Sequence, residues 1–464
     1  MKKKIKKTSK DLRKQFECFC YESYKWSFSE KDLKISFKFV AGKNVFTPTI
    51  KIKNIPPKAK KIEKEIIDNL VFNLGMIEIF SYWKAFCSPK IIIKSGYLNT
   101  EQVNWWENIL IKGMGQYFFE NKINFKVKNF IQIISENKSN QKIKLFKPSK
   151  KGILLPIGGG KDSAVSLQLL NKHTKDISCF LLNPSLAAQR MADRSNCGVI
   201  VCERKIDPLL LELNRAGYLN GHTPFVAYLS FLSALVSAIF NKKYVILSNE
   251  KSSNEGNIKY LGEEINHQYS KTFDFENKFR SYAKKYLGEI DYFSLLRPLY
   301  ELQIAKLFSE FKNYFPVFVS CNEAEKTYSG TKKKTGVWCG LCSKCLFVFM
   351  ILYPFTPVSE LKKIFGNDLF NKKELLSLML DLITEDKEKP WECVGTKKES
   401  LIALYLGWKK NLIKDLEQPL LLQYFVEELM PKNHEWEKET KKIMENWDVK
   451  NNIPKIFNYQ KKIL

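Results

Sequence analysis

Arginine is scarce in this 464-residue chain: 7 of its 76 basic residues are Arg and the rest are Lys, against 49 acidic residues, for a formal net charge of +27. Such a charge would ordinarily indicate nucleic acid, but a lysine excess of this kind reads instead as a solvated surface with some attraction for anions. Long apolar runs are also lacking. The longest, Phe225 to Phe240, contains three serines and falls short of the roughly 18 residues a membrane span needs, so it predicts a buried helix. The basic start MKKKIKKTSK is followed by no apolar segment suited to export, which predicts a cytoplasmic protein without a membrane partner. The odd count of 11 cysteines does not suit a secreted disulfide framework. Internal repeats and low-complexity tracts are absent as well, and 44% hydrophobic residues suffice for substantial cores.

At roughly 150 residues per domain the length predicts about three domains. Leu33 to Phe39 alternates apolar with polar residues, AGKN makes a turn, and Ile50 and Ile52 resume the alternation, which predicts an antiparallel hairpin. Ile62, Ile66, Leu70, Leu74 and Ile77 recur at helical spacing, and a second helix carries Trp105 and Trp106 between about 100 and 120. Residues 1–148 thus form an α+β domain, ending in the lysine-rich stretch from Ser135 to Lys151. From 149 to 348 short apolar runs (Ile177 to Leu182, Val199 to Cys202, Tyr244 to Leu247) alternate with helical patterns, predicting a doubly wound parallel sheet. Residues 349–464 read as helical throughout.

The distinctive stretch is LLPIGGGKDS, Leu154 to Ser163. A strand that runs into three glycines and then a helix leaves backbone N–H groups unshielded beside a positive helix end, which suits an anion. It lacks the G-x4-G-K-[ST] spacing of a Walker loop. As a dinucleotide fingerprint it fails too, since Ser163 replaces the third glycine. A glycine run is often only a tight turn; strand, GGGKDS and helix together favour a nucleotide site.

Where lysine is the default cation, Arg190, Arg194, Arg204, Arg215, Arg280 and Arg297, all beyond the loop, become candidates for carboxylate or phosphate contacts, although some will be structural. Ser248, Asn249 and Glu250 fall at a strand's carboxyl end, where open α/β sheets bind ligands. Glu250 and Glu255 are candidate bases or magnesium ligands, the alternative being helix caps or solvent-facing residues. Among four histidines, His222 and His267 lie in polar, glycine-containing segments and are candidates to line a site, although a lone histidine is often structural. His173 and His434 carry no functional reading. Cys339, Cys342 and Cys345 form C-x2-C-x2-C with Cys321 upstream, enough for a closed four-thiolate structural zinc site, with an iron–sulfur cluster as the alternative.

GGGKDS resembles the SGGKDS loop of the ATP pyrophosphatase (PP-loop) enzymes, with Gly158 where most of them carry serine. The resemblance implies their adenine nucleotide alpha hydrolase-like fold. ELNRAGYLNGHTP, LSNEKSSNEG, EEINHQYSK, SLLRPLYEL, SCNEA, WCGLCSKCLFVF and PWECVG, taken in order, are similar to an epimerase family that uses ATP and magnesium to invert the terminal L-glutamate of a UDP-muramoyl dipeptide for peptidoglycan. The likeness is dense from about 152 to 395, loose before that and weak after about 400. NPSLAAQRMADRSNC and the insert KTYSGTKKKTG match least, so no role is carried onto them.

The implied roles follow. Gly158, Gly159, Gly160 and Ser163 would bind departing pyrophosphate, Lys161 would neutralise phosphate charge, and Asp162 would hold magnesium. His222 and His267 would serve as the epimerising acid and base with Glu250 in reserve, Asn249 would steady an enolate, and Arg297 and Arg215 would contact substrate. A PP-loop enzyme for another substrate, such as a tRNA base or a 7-cyano-7-deazaguanine precursor, is the rival reading; another is a nucleotide-sensing module without catalysis.

Overall fold

The computed structural model describes residues 7–137, 143–149, 151–325, 335–430 and 434–460. Parts of two stretches discussed above, 138–142 and 150 in the lysine-rich linker and 326–334 in the insert, lie outside the described residues. The chain divides into two compact units, each discontinuous in sequence. The first comprises Met1–Leu154, Val199–Val245 and Lys259–Tyr292, and the second Leu155–Gly198, Ile246–Ile258 and Phe293–Leu464.

In the first unit the strand Leu33–Ala41 alternates buried with more exposed positions, as its sequence predicts. It pairs antiparallel with Thr49–Ile52, with Leu33 opposite Ile52, and with the longer strand Cys18–Phe28, with Phe28 opposite Leu33. Cys18–Phe28 escapes a periodicity search because its register slips between Tyr21 and Ser23, which breaks the alternation. Lys90–Ile93 pairs parallel with Cys18–Phe28, and Gln132–Ser135 continues parallel beyond it. The doubly wound reading needs one correction: Gly198–Lys205 pairs antiparallel with Thr49–Ile52, with Thr49 opposite Lys205, so the sheet is mixed. This pairing draws residues from 199 onward into the amino-terminal unit and makes that unit discontinuous.

The predicted helices are present as Lys64–Trp83, Thr100–Gly113, the short Gly115–Glu120 and the largely buried Phe225–Phe240. Phe231 of the last stacks on Trp106 with ring centroids 4.9 Å apart, and both lie at most 1% exposed. The Trp106 indole N–H donates to Tyr282 Oη at 3.1 Å, so the buried polar edge is satisfied. Glu78, wholly buried on Lys64–Trp83, receives Nε and Nη2 of Arg204, the fork geometry that makes arginine suitable there.

The second unit follows the parallel pattern. Ile157 N–H donates to the Phe180 carbonyl at 2.9 Å, and Leu295 N–H to that of Leu247 at 2.8 Å. Ile177–Leu182 and the carboxyl-terminal halves of the strands Ile153–Pro156, Tyr244–Leu247 and Asp291–Ser294 belong to this unit, and these strands are largely buried on both faces. Helices then dominate: Ser343–Leu352 is buried at all ten positions and is followed by Val358–Phe365, Leu376–Ile383 and Lys397–Ile413. Lys397–Ile413 opens on a capping box between Thr396 and Glu399. No helix among the described residues is long and apolar enough to cross a membrane.

Candidate active site

The second unit gathers its chemistry at the carboxyl ends of three strands. Ile153–Pro156 runs into the glycine loop, Tyr244–Leu247 into Ser248, Asn249 and Glu250, and Asp291–Ser294 into Arg297 and the helix Glu301–Ser309. Gly159 takes φ +89°, and a Cβ there would meet the Ala188 amide nitrogen at 2.7 Å, so no other residue fits. Gly158 is the opposite case: a Cβ there would meet nothing within 4 Å, leaving the space before the loop open. The helix Lys161–Asn171 starts at once, capped by Gly160 without a side-chain acceptor. Its positive end therefore faces the loop, the arrangement that attracts an anion. Gly158 N–H donates to Ser163 Oγ at 3.2 Å, and Val319 N–H holds the Gly159 carbonyl at 2.9 Å.

Lys161 turns inward. Its side chain is 2% exposed, and the ammonium pairs with Asp162 Oδ1 at 2.5 Å and with Glu301 Oε2. Burial alone would push Lys161 down, but the Asp162 and Glu301 carboxylates outweigh it and hold the amine above its ordinary value. Glu301 is raised, first by burial and then by the charges of Asp162 and Glu250, against which Lys161 acts. One oxygen from each of Asp162, Glu250 and Glu301 lies within 4.8 Å of the others. Three hard oxygen donors so arranged fit a magnesium-type cation. The sequence reading names Asp162 and Glu250 but misses Glu301, which stands 140 positions from its partner Lys161 in no recognisable motif. Glu399, also missed and wholly buried, accepts Leu302 N–H at 3.1 Å and so steadies the first turn of the helix that bears Glu301.

Arg297 is 1% exposed and donates to the Glu250 carbonyl at 2.7 Å and Ser253 Oγ at 3.2 Å, so its fork supports the segment bearing Glu250. Asn249 likewise donates to Ser294 Oγ at 3.1 Å. Glu255 accepts from Lys389 at 3.3 Å.

The four cysteines come together. Sγ separations are 3.9 Å for Cys321–Cys342, 3.6 Å for Cys339–Cys345 and 3.5 Å for Cys342–Cys345. A tetrahedron with metal–sulfur bonds of about 2.3 Å has edges of about 3.8 Å, so the four thiols fit a single zinc ion. A multi-iron cluster would hold its thiolates further apart. Cys321 lies next to Ser320, whose Cβ would stand 3.3 Å from a Cβ on Gly160, so the cysteine knot and the glycine loop brace one another.

In the first unit His222 and His267 are in ring contact, with centroids 4.4 Å apart. His267 Nδ1 lies 2.6 Å from Gln116 Oε1. Burial, the neighbouring His267 and the Lys84 ammonium push His222 down to about 3, which keeps it neutral. Lys84 is itself lowered to about 8, chiefly by burial, and donates to the Gly221 carbonyl at 2.9 Å. Two rings in contact leave no room for another carbon atom between them. Arg215, exposed on the last turn of Pro208–Arg215, bonds back to the Leu211 carbonyl at 3.3 Å.

Residues 10–295 match the MurL N-terminal domain and residues 317–440 the MurL C-terminal domain. A UDP-N-acetyl-alpha-D-muramoyl-L-alanyl-L-glutamate epimerase of Salinispora tropica is 31% identical over 85% of this chain and 87% of its own. Proteins with the same name from a Micromonospora species (31%, over 87% and 89%) and from Xanthomonas oryzae pv. oryzae (31%, over 75% and 78%) are similar too.

Proposed function

We propose a reaction for a chain that belongs to the MurL family: ATP-driven inversion of the terminal L-glutamate of UDP-N-acetylmuramoyl-L-alanyl-L-glutamate, to supply D-glutamate for peptidoglycan. The observation that carries the ATP-dependent part is the open glycine loop beside Lys161 and three convergent carboxylates. This arrangement suits a PP-loop nucleotide site.

An ionised α-carboxylate makes the adjacent proton very hard to remove, because the carbanion would carry a second negative charge beside the first. Attack of that carboxylate oxygen on the α-phosphorus of ATP, with loss of pyrophosphate, gives an acyl adenylate whose carbonyl no longer carries the carboxylate charge. A base then takes the α-proton, the electron pair spreads into the acyl carbonyl, and reprotonation on the other face inverts the centre. Water cleaves the acyl–phosphate bond, releasing AMP and the D-glutamyl product.

The loop amides and Ser163 would receive the pyrophosphate. Asp162, Glu250 and Glu301 would hold magnesium, which when bound offsets triphosphate charge. Lys161 would exchange part of its pairing with these carboxylates for phosphate oxygens. His267 would act as base with His222 as its neutral neighbour, and Glu250 is the reserve. Asn249, whose NH2 carries a second hydrogen beside the one donated to Ser294, or a backbone amide would steady the enolate. The four cysteines would hold zinc as a closed, structural site.

The deciding experiment incubates the chain with ATP, magnesium and the UDP-muramoyl dipeptide in deuterated water. Pyrophosphate release together with deuterated D-glutamate is expected; unchanged L-glutamate would refute the reading.

A further inference from the structure

We infer that Gln116 and Glu120 are positioning residues for His267, forming a carboxylate–amide–imidazole relay that fixes which ring nitrogen carries the proton. The inference rests on the reading of His267 as a proton-transfer group, and it concerns residues that the reaction scheme above leaves without a role.

The direction of the relay follows from what each group can do. Gln116 Nε2 lies 2.7 Å from Glu120 Oε1. Glu120 is exposed, and an ionised carboxylate only accepts, so the end of Gln116 that faces it is the NH2 end. The carbonyl end therefore faces His267 Nδ1 at 2.6 Å, and a carbonyl only accepts. Nδ1 must carry the hydrogen, and in the neutral ring the lone pair then resides on Nε2. Gln116 and Glu120 are four residues apart on the helix Gly115–Glu120, which places their side chains on one face.

The surrounding backbone is shaped to hold this line. A Cβ on Gly113 would meet Pro224 Cγ at 2.9 Å, two residues beyond His222. One on Gly115 would meet Ile265 Cγ2 at 3.1 Å, two residues before His267. Gly221 in turn lies against Tyr117 and Glu120, its Cβ position 3.3 Å from Glu120 Oε2. The glycines of Ile111 to Glu120, IKGMGQYFFE, thus allow both histidine segments to dock on the turn bearing Gln116 and Glu120. Gln116 is 8% exposed, so its amide is shielded from the water that would otherwise blur the choice of tautomer.

The test uses the full chain labelled with 15N-histidine. Its four histidines give a simple long-range 1H–15N spectrum, assigned with His267→Gln. Expected is the Nδ1–H form of His267 in the unaltered chain, loss of that preference in Gln116→Leu and Glu120→Gln, and its retention in Gln116→Glu, which keeps an acceptor at Nδ1. Epimerisation by Gln116→Leu should lose roughly 10- to 100-fold in kcat with a smaller change in KM, and Gln116→Glu should recover most of it. If Gln116→Leu does not fold, Glu120→Gln, at an exposed site, carries the same comparison. An Nε2–H ring in the unaltered chain overturns the inference, as would an unchanged tautomer and kcat in the folded variants. If the Nδ1–H form is found but the chain epimerises nothing, the relay stands and the proposed reaction fails.

Discussion

The Lys161 ammonium and the Glu301 carboxylate form an ion pair shut off from water, with 2% and 3% of their side chains exposed. A buried charge is tolerated only while it is paired. Lys161→Ala would leave Glu301, Asp162 and Glu250 facing one another without a cation. A loss of stability of about 3–5 kcal/mol is expected along with the loss of pyrophosphate release. Urea unfolding of the variant checks the first part; a stability equal to that of the parent would show that Lys161 is not the counter-charge of this cluster.

Asp162 should behave differently, because its side chain is 27% exposed and lies on the open side of the cluster. Asp162→Asn is expected to abolish pyrophosphate release while the melting temperature moves by no more than a few degrees, corresponding to about 1 kcal/mol or less. Turnover at the parental rate would remove Asp162 from the magnesium set.

These two residues illustrate what a sequence makes legible. Gly158 to Ser163 could be proposed as a phosphate cradle from sequence because such a cradle is built from neighbours in the chain, so its chemistry and its spacing coincide. The cysteines announced themselves through C-x2-C spacing, which the turn preceding Ser343–Leu352 converts into adjacent thiols. Glu301 gave no such signal: its role depends on the strand Asp291–Ser294 delivering it to the same end of the sheet as Lys161. For Arg297 the sequence is silent on direction, since a rare arginine after a strand has the same local appearance whether it faces substrate or braces a neighbouring loop. The antiparallel pairing of Gly198–Lys205 with Thr49–Ile52 depends on residues some 150 positions apart and leaves no trace in either segment's pattern.

Metal removal should be felt at the nucleotide loop. Val319 N–H holds the Gly159 carbonyl two residues before Cys321, so loosening the four-cysteine knot releases one wall of the cradle. Cys342→Ser, or prolonged chelation, is expected to lower both thermal stability and nucleotide affinity, and one zinc per chain should be lost, as measured by elemental analysis. A metal-free chain that binds ATP as tightly as the parent would make the cysteine site irrelevant to the loop.

His222 gives a pH dependence with a definite sign. Its folded value of about 3 lies below the ordinary 6.5, so between these limits the unfolded chain binds the additional proton. Stability from this residue is complete above about 6.5 and falls by up to about 1.4 kcal/mol per unit as the pH drops toward 3. His222→Gln should flatten the acid side of the stability curve relative to the parent between pH 6 and 4. Parallel curves in denaturant titrations would mean that the ring titrates normally in the folded chain.

The two glycines at the head of the loop make the sharpest contrast. Gly159 stands at φ +89° with backbone 2.7 Å from where a Cβ would be, so Gly159→Ala carries both a left-handed backbone cost of about 1–3 kcal/mol and a clash that no side-chain rotation relieves. It should distort the cradle and end nucleotide binding. Gly158 is exposed, has no positive φ and faces open space, and it occupies the place where similar loops carry serine. Gly158→Ser should therefore fold normally, and its hydroxyl adds a donor where the departing pyrophosphate is proposed to lie, so ATP affinity should hold or rise. Isothermal titration of both variants with ATP and magnesium separates the cases: equal loss in both would mean that the open space before Gly158 is not where the phosphates bind.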